Sequence, residues 1–462
     1  MTGIISANIH KFTCVARFQA WTSSCRVAQS KTTISSSVAR LRTVRIETFI
    51  NLVYQPIGPM SHKCCIIQNM YIALLGHQPA LGICELERLY GSKSVSWHGE
   101  ASALIETDQC PDVELLGGTQ KIGEVIAEFP RGNWRDVSTK IVQFYSQLWS
   151  DSLHKKTLGI GAYGFPVSAR EVQKTGLILK RRLKEKGVSL RLIPNNEPNL
   201  NTAVSHHNKL GLSDNKVELL VIKASNGKII VAESRGAQNI SALAARDQAR
   251  PKTDAFVGML PPKLARMMIN MAVGSHRSAE SITILDPFCG TGVLLQEALL
   301  LNYNVVGSDI SQKMVDYSHE NLAWLSKRNQ LGATSHVELG DAMTHRWATT
   351  PTHVATETYL GQPFSAPPRP EKLAEVRRNC NHIIGDFLRN LHPQIQPGTM
   401  LCIGVPAWRD ANGQITHLPL VSNLDQFGYR PLHLSHVSHD QLLYFRPDQV
   451  VARQLLLIET LS

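Results

Sequence analysis

The sequence predicts an α/β protein that ends in an open, mostly parallel sheet and begins with a smaller α+β region. After residue 280, apolar strands and amphipathic helices alternate, which is typical of a parallel sheet whose strands are connected by helices. Three of these strands end on or just before an acidic residue. The chain has 462 residues, which is too long for one core, so two or three domains are expected.

Composition restricts the class of protein. The chain is 43% hydrophobic and 18% charged, as in soluble globular proteins, and no apolar run reaches the roughly 18 residues that a membrane span needs. Its nine cysteines are scattered without a C-x-x-C spacing, so neither a zinc ribbon nor a disulfide framework is indicated. No metal site is expected, and the predicted location is a reducing compartment, the cytoplasm.

The first 69 residues differ from the rest of the chain. They contain eight Lys or Arg, one acid and 15 Ser or Thr. We interpret residues 1–69 as a disordered or transit-like extension, since acid-poor, Ser- and Arg-rich starts are typical of organellar transit peptides. The interpretation we prefer to a transit peptide is an upstream extension of a protein that begins near Met70, because the stretch from Met70 begins like a domain.

Residues 70–235 are predicted to form the α+β amino-terminal region. A short strand from Met70 precedes a Gly/Pro turn and a short helix around residues 85–89. The stretch "GGTQKIGEVI" is interpreted as a turn that leads into a helix, and strands then alternate with one long helix. That helix is predicted to begin at Ser168, with Glu171 completing a capping box, and to end at Gly187.

A connector, residues 236–275, leads to the last predicted domain, residues 276–462. Pro261 and Pro262 suit the first turn of an entry helix, and its apolar residues are expected to face inward: Leu264, Met267, Met268 and Met271. Upstream, "GIGAYG" at residues 159–164 matches G-x-G-x-x-G, but the following helix starts only at Ser168. We therefore interpret it as a glycine-rich strand and turn rather than a dinucleotide loop.

The stretch "ILDPFCGTGVLLQEALLL" carries the strongest signal for a bound cofactor. Asp286 ends a buried strand, Gly290 and Gly292 form a tight turn, and a helix follows at once. Glycines allow the backbone to approach a ligand, and a helix amino terminus offers free N–H groups to an anion. The next strand ends on Asp309, where a ribose diol can be bound, and the third leads to Asp341, near an adenine amine.

The spacing D-P-F-C-G-T-G resembles the first motif of class I S-adenosylmethionine-dependent methyltransferases that act on exocyclic amines of bases. The resemblance implies a Rossmann-like domain and S-adenosylmethionine as cofactor. It also implies the cofactor contacts: Asp286, Gly290 and Gly292 around the methionine part, Phe288 beside them, Asp309 at the ribose, and Asp341 with Ala342 at the adenine.

The connector "RPKTDAFVGMLPPKLARMMINMA" resembles the element that precedes the catalytic domain in tRNA guanine-N2-methyltransferases. In that family a THUMP RNA-binding domain comes first, and residues 110–235 have the size and position of a THUMP-like domain. The resemblance therefore implies RNA, and tRNA in particular, as the partner; it leaves the oligomeric state open.

The fourth strand departs from this family, which carries Asp/Asn-Pro-Pro-Tyr/Phe there. This chain has "HVATETYLGQPF". An aryl amine needs acceptors for its N–H bonds and an aromatic face that holds the base. Thr356, Glu357 and Tyr359 are the predicted catalytic residues, with Glu357 as acceptor and Tyr359 as the stacking ring. Carbon methylation of cytosine would need a cysteine nucleophile, commonly in Pro-Cys, and the chain has no such pair.

Two basic groups could meet phosphates or be solvated: Lys180, Arg181, Arg182, Lys184 and Lys186 in the long helix, and Arg246, Arg250 and Lys252 in the connector. The sequence as a whole predicts methylation of an exocyclic base amine of RNA, with guanine N2 in tRNA as the target. A DNA adenine-N6 methyltransferase and a non-catalytic RNA-binding protein of the same fold are the alternatives.

Overall fold

A computed structural model describes residues 69–254, 259–275, 282–446 and 449–462. The predictions for the extension 1–69 lie outside the described residues, apart from Asn69. No described helix is long and apolar enough to cross a membrane.

The first sheet is mixed and has eight strands in the order β2-β3-β1-β4-β8-β7-β5-β6. Its neighbours are antiparallel except that β5 runs parallel to β6 and β7. The strands are β1 (Met70–Leu75), β2 (Val95–Trp97), β3 (Ser102–Glu106), β4 (Thr119–Phe129), β5 (Lys156–Tyr163), β6 (Leu190–Leu192), β7 (Lys216–Lys223) and β8 (Ile229–Ala237). The helices are α1 (Pro79–Tyr90), α2 (Trp134–Leu148), α3 (Ala169–Glu185), α4 (Thr202–His207) and α5 (Ile240–Gln248).

One local prediction in this region is wrong. "GGTQKIGEVI" is not the start of a helix: it enters β4, which pairs with β1 on one side and β8 on the other. Ile122 and Val125 are buried between these neighbours, and pairing on both sides overrides the weak helical pattern. The helix expected around residues 85–89 is present and ends at its C-cap Gly91, but it begins earlier. Pro79 occupies its first turn, where a missing N–H costs nothing.

The long helix is confirmed. In α3, Ser168 and Glu171 form the reciprocal capping box, and Gly187 follows the helix with a positive φ of 78°. "GIGAYG" belongs to β5 and the turn after it, and Gly164 there has a φ of 69°. A Cβ on Gly164 would lie 2.2 Å from the carbonyl oxygen of Lys223, so glycine is needed for close packing of the backbone.

The second sheet contains the predicted parallel strands. Its order is β11-β10-β9-β12-β13-β17-β15, with β14 paired to β13 and β16 to β17. Strands β9 to β13 are parallel, and β17 is inserted antiparallel to β13. The strands are β9 (Thr283–Asp286), β10 (Asn304–Asp309), β11 (Ser335–Leu339), β12 (His353–Glu357), β13 (Met400–Arg409), β14 (Ile415–Thr416), β15 (Tyr429–Pro431), β16 (Leu443–Tyr444) and β17 (Val451–Thr460).

Four further helices belong to this half: α6 (Pro262–Val273), α7 (Val293–Leu300), α8 (Gln312–Arg328) and α9 (Pro370–Leu391). The predicted inward face of α6 is confirmed, since Leu264, Met267, Met268 and Met271 are all buried. One apolar cluster includes residues of both sheets and of α6. The domain boundaries drawn from the sequence stay a prediction.

The buried carboxylate of Glu85 connects the two halves. It lies in α1 and accepts hydrogen bonds from the backbone N–H groups of Gly117 and Gly118, each at 2.8 Å. The side-chain amide of Asn270 in α6 donates a third, at 2.6 Å. Burial raises the pKa of Glu85, and these three donors act in the opposite direction. A buried carboxylate with a complete set of donors fixes the position of each element that supplies one.

We expect Glu85→Gln to lower the free energy of unfolding by roughly 2–4 kcal/mol, because the amide NH₂ would face donors that have no other acceptor. Chemical denaturation followed by circular dichroism measures this loss. Glu106→Gln is the matched control, since Glu106 ends β3 with an exposed side chain. Equal stability of the two variants would contradict the role given to Glu85.

Candidate active site

The turn after β9 has the conformation that the glycines predict. Gly290 and Gly292 have φ values of 52° and 77°, and Gly292 caps the amino terminus of α7. A Cβ on Gly292 would lie 2.8 Å from the hydroxyl oxygen of Ser318. A Cβ on Gly290 would meet only the carbonyl oxygen of Phe288, at 4.0 Å. The turn is therefore packed against α8 on one side and open on the other, where a ligand can approach the backbone.

Asp286 is buried at the tip of β9, only 3% exposed. The hydroxyl of Thr356 donates to its carboxylate at 2.6 Å, and the N–H of Phe288 donates at 3.3 Å. Burial raises its pKa to about 7, against the lowering effect of these two donors. Thr356 is thus a positioning residue for Asp286 in this structure, whereas the sequence predicts it among the catalytic residues.

The other two predicted acids lie at the neighbouring strand tips. Asp309 accepts from the N–H of Gly290 at 3.0 Å and of Ser311 at 2.9 Å; burial raises its pKa and these bonds oppose the rise. Asp341 follows β11 and accepts from the N–H of Met343 at 3.0 Å. All three acids line one cavity of about 1000 Å³.

The same cavity brings together most of the predicted site residues. Its lining includes Phe288, Gly290 and Ala342 as well as Glu357 and Tyr359. Gly292 and Thr356 do not line it; they support the turn and Asp286 respectively. Phe288 packs edge-on against Phe387 of α9, with ring centroids 5.1 Å apart, and Tyr359 is 41% exposed. The strand-tip acids and the glycine turn, here called the cofactor rim, therefore line the same cavity as the segment that follows the fourth parallel strand, β12.

Sequence reasoning missed Arg453, at the start of β17. It forms an ion pair with Glu357 and lines the cavity. The two residues are 96 positions apart, so no local signal in the sequence connects them. Lys313 and Asp254 were also missed: their side chains pair at 2.8 Å and tie the connector to α8 at the cavity.

Two of the connector residues that could have met phosphates are engaged inside the protein instead. Arg246 pairs with the buried Glu297 of α7 at 2.5 Å. Arg250 is only 4% exposed, so neither guanidinium is available to a nucleic-acid backbone. Lys252 pairs with Glu320 at 3.3 Å on the surface. The basic side chains of α3 are exposed and remain candidate phosphate contacts.

The lining suits a cationic nucleoside. The cavity is large enough for a molecule of drug size, and its lining includes the three carboxylates at the strand tips and the open glycine turn. Asp286 and the turn would hold the methionine part, Asp309 the ribose and Asp341 with Ala342 the adenine. When bound, S-adenosylmethionine supplies an electrophilic methyl group on a sulfonium sulfur.

The fold and the site define a class I S-adenosylmethionine-dependent methyltransferase domain. The sheet order, the antiparallel β17 and the glycine turn after the first parallel strand carry this assignment. S-adenosylmethionine is its cofactor.

The chain is also similar in sequence to known methyltransferases. A family described as DNA methylase (N6/N4 methyltransferases) matches residues 142–320, less than half of the chain. The chain is 34% identical over 172 residues to the tRNA (guanine(10)-N2)-dimethyltransferase of Methanothermobacter thermautotrophicus, which is 37% of this chain and 46% of that protein. The enzyme of the same name from Methanocaldococcus jannaschii is 45% identical over 65 residues, 14% of this chain and 17% of its own length.

The chain thus spans about half the length or less of the curated relatives it matches. Among solved structures, TrmN from Thermus thermophilus matches with a TM-score of 0.44 and 16% identity, over 85% of this chain and all of that one. The fold follows from the strand order and the strand directions.

The ribose contact is tested by Asp309→Ala. Removing the carboxylate would leave the ribose hydroxyls without their acceptor, so we expect cofactor binding to weaken by roughly 1–3 kcal/mol. Isothermal titration calorimetry with S-adenosylmethionine measures the change. Asp316→Ala, an exposed position in α8, is the control, and unchanged affinity in Asp309→Ala would refute the assignment.

The raised pKa of Asp286 predicts a pH dependence of cofactor binding. With a pKa of about 7, the carboxyl is mostly neutral below that pH and ionised above it. S-adenosylmethionine is cationic and prefers the ionised form, so affinity should rise as the pH rises through 7. Calorimetry from about pH 5.5 to about pH 7.5 should show an increase of up to about tenfold. Asp286→Asn should lose this dependence; an unchanged slope would assign it to another group.

Proposed function

We propose that this protein is an S-adenosylmethionine-dependent methyltransferase that acts on an exocyclic base amine of RNA, namely guanine N2 in tRNA. The observation that carries the proposal is the single cavity in which the cofactor rim meets Glu357 and Tyr359. The guanine target is supported by the two curated relatives, both named tRNA (guanine(10)-N2)-dimethyltransferase. Neither is covered along its full length, so the target rests on the cavity and the relatives together.

The chemistry follows from the residues on the cavity wall. A guanine amine is a weak nucleophile because its lone pair is delocalised into the ring. An acceptor for one N–H bond favours a pyramidal nitrogen, and Glu357 offers a carboxylate oxygen for that purpose. Tyr359 would stack on the base, which has to leave its helix to enter the cavity. Transfer forms the N–CH₃ bond, breaks the S–CH₃ bond and releases one proton from the amine, leaving S-adenosylhomocysteine.

The amino-terminal region would bind the RNA. We propose that its mixed sheet is the THUMP-like domain, and that exposed basic side chains of α3 and of the residue after it contact phosphates: Lys180, Arg181, Arg182, Lys184 and Lys186. Phosphate contacts give affinity without sequence information, so they would hold the tRNA while the cavity selects the base. A cytoplasmic location is part of this proposal.

A DNA adenine-N6 methyltransferase is the second candidate, supported by the match of residues 142–320 to a DNA methylase family. A protein of this fold without catalysis is the third, because the proline pair of the fourth strand is absent. Methyl transfer to unmodified tRNA and to DNA, followed by mass spectrometry of the nucleosides, separates the three. N2-methylguanosine supports the proposal, N6-methyladenine in DNA the second candidate, and no product on either the third.

The fourth-strand residues give a sharper prediction. Glu357→Gln should slow single-turnover transfer to tRNA by roughly 10²–10⁴-fold, because a neutral amide replaces the charged acceptor. Tyr359→Ala should lose stacking worth roughly 1–3 kcal/mol, and transfer should slow accordingly.

Cofactor affinity separates a substrate role from damage to the cofactor site. Both variants should bind S-adenosylmethionine within about threefold of wild type, since neither residue is assigned to the cofactor. Glu371→Gln, an exposed residue in the first turn of α9, serves as the control for a surface charge. Wild-type transfer rates in both site variants would place the substrate residues elsewhere.

A further inference from the structure

The ion pair between Glu357 and Arg453 spans the middle of the second sheet. Glu357 ends β12 and Arg453 lies in β17, with β13 between them. On β13, Glu357 is paired with Gly404, and Arg453 with Pro406, two positions further on. Gly404 has no side chain, and a Cβ there would lie 3.6 Å from Cε of Met268 and 3.7 Å from Cδ2 of Leu455. The guanidinium of Arg453 reaches Glu357 across β13.

The pair faces the cavity with unused hydrogen-bonding groups. The side chains of Arg453 and Glu357 are 10% and 17% exposed, and both line the cavity. Only Nε of Arg453 bonds Oε1 of Glu357. Among the described residues, no hydrogen bond is found to Oε2 of Glu357 or from the terminal nitrogens of Arg453. The pair therefore presents one acceptor oxygen beside a set of donors.

In guanine, the ring positions on the two sides of the N2 amine differ in their hydrogen bonding. On one side is N1–H, a donor, and on the other is N3, an acceptor. A carboxylate with both oxygens free could take N1–H and N2–H together. Glu357 has one oxygen occupied by Arg453, and the guanidinium carries only donors, so N1–H would face a donor. The N2/N3 edge of guanine places the acceptor N3 next to the N2 amine, so its groups complement those of Arg453 and Glu357.

We propose that Arg453 and Glu357 together recognise the N2/N3 edge of the target guanine. Glu357 accepts an N2–H, and Arg453 donates to N3. This makes Arg453 a specificity-determining residue that contacts the substrate. The inference rests on the proposed guanine-N2 methylation and states which edge of the base is bound.

The competing explanation is that the pair only holds β12 to β17. The two explanations differ in their response to a change in the RNA that leaves the protein intact. Replacing the methylated guanosine, first mapped on an unmodified transcript, with 3-deazaguanosine exchanges N3 for C–H and keeps the amine. If Arg453 donates to N3, wild-type kcat/KM should fall by roughly 10- to 100-fold, as expected for loss of a hydrogen bond to a charged group.

The matching protein change is Arg453→Met. It should slow transfer to guanosine by at least a similar factor, and it should erase the preference for guanosine over 3-deazaguanosine. Arg453→Lys keeps the charge and a donor, so it should recover part of that preference. Arg430→Met is the control: Arg430 pairs with Glu459 of β17 at 2.6 Å, outside the cavity. That variant should keep the wild-type preference, and calorimetry should show cofactor binding in all three variants.

The results that would refute recognition of N3 differ from the result that would refute the proposed function. Equal rates on the two nucleosides with wild-type protein would refute recognition of N3 while leaving guanine-N2 methylation intact. If the loss in kcat/KM with both changes, Arg453→Met and 3-deazaguanosine, equals the product of the two separate losses, Arg453 and N3 do not interact. That result would also refute recognition of N3 by Arg453. If wild-type protein forms no N2-methylguanosine on the unmodified transcript, the proposed function fails and this inference fails with it.

Discussion

The carboxylate of Glu85 is the constraint on which the arrangement of the two sheets depends. It is completely buried, so its charge has to be balanced by donors inside the protein. Those donors come from the turn that enters β4 and from Asn270 of α6. A Cβ on Gly118 would lie 2.6 Å from the Cα of Gly82 in α1, so the turn can reach the carboxylate only because it consists of glycines. The entry helix of the methyltransferase domain is thereby fixed against the first sheet.

A second buried carboxylate, that of Glu297, connects α6 to the helix that follows the cofactor turn. Arg266 of α6 binds the buried carboxylate of Glu297 at 2.6 Å, and Arg246 binds it from α5. Glu297 belongs to α7, whose amino terminus follows Gly292. Two guanidinium groups around one buried carboxylate hold the helix in position, because loss of either would leave the charge incompletely paired. Arg246, which the sequence suggested for phosphate binding, thus helps to hold the cofactor helix in position.

The sequence predicts the conformation of the glycine turn better than it predicts the amino-terminal fold. The turn between Asp286 and Gly292 is a local feature, in which strand, glycines and helix adjoin, so its conformation is specified by a few neighbouring residues. The strand β4 is different, since its state depends on pairing with β1 and β8, which are distant in sequence. Arg453 could not be found for the same reason: its partner is 96 residues away. The strand conformation of β4 and the pairing of Arg453 both depend on contacts between strands that are distant in sequence, and the pattern of residues within one segment does not predict such contacts.

The fourth strand shows how such distant contacts can replace a local motif. The family that the sequence resembles carries two prolines in this segment, whereas this chain has Thr358 and Tyr359 after Glu357. Here Thr358 is buried and bonds the carbonyl of Gly404 twice, through its N–H and its hydroxyl, both at 2.9 Å. Glu357 is held by Arg453 from β17. Backbone and side chain are thus each fixed by the neighbouring strands of the sheet. Rigidity that prolines supply through covalent geometry is supplied here by hydrogen bonds and an ion pair, which leave the segment polar where it meets the cavity.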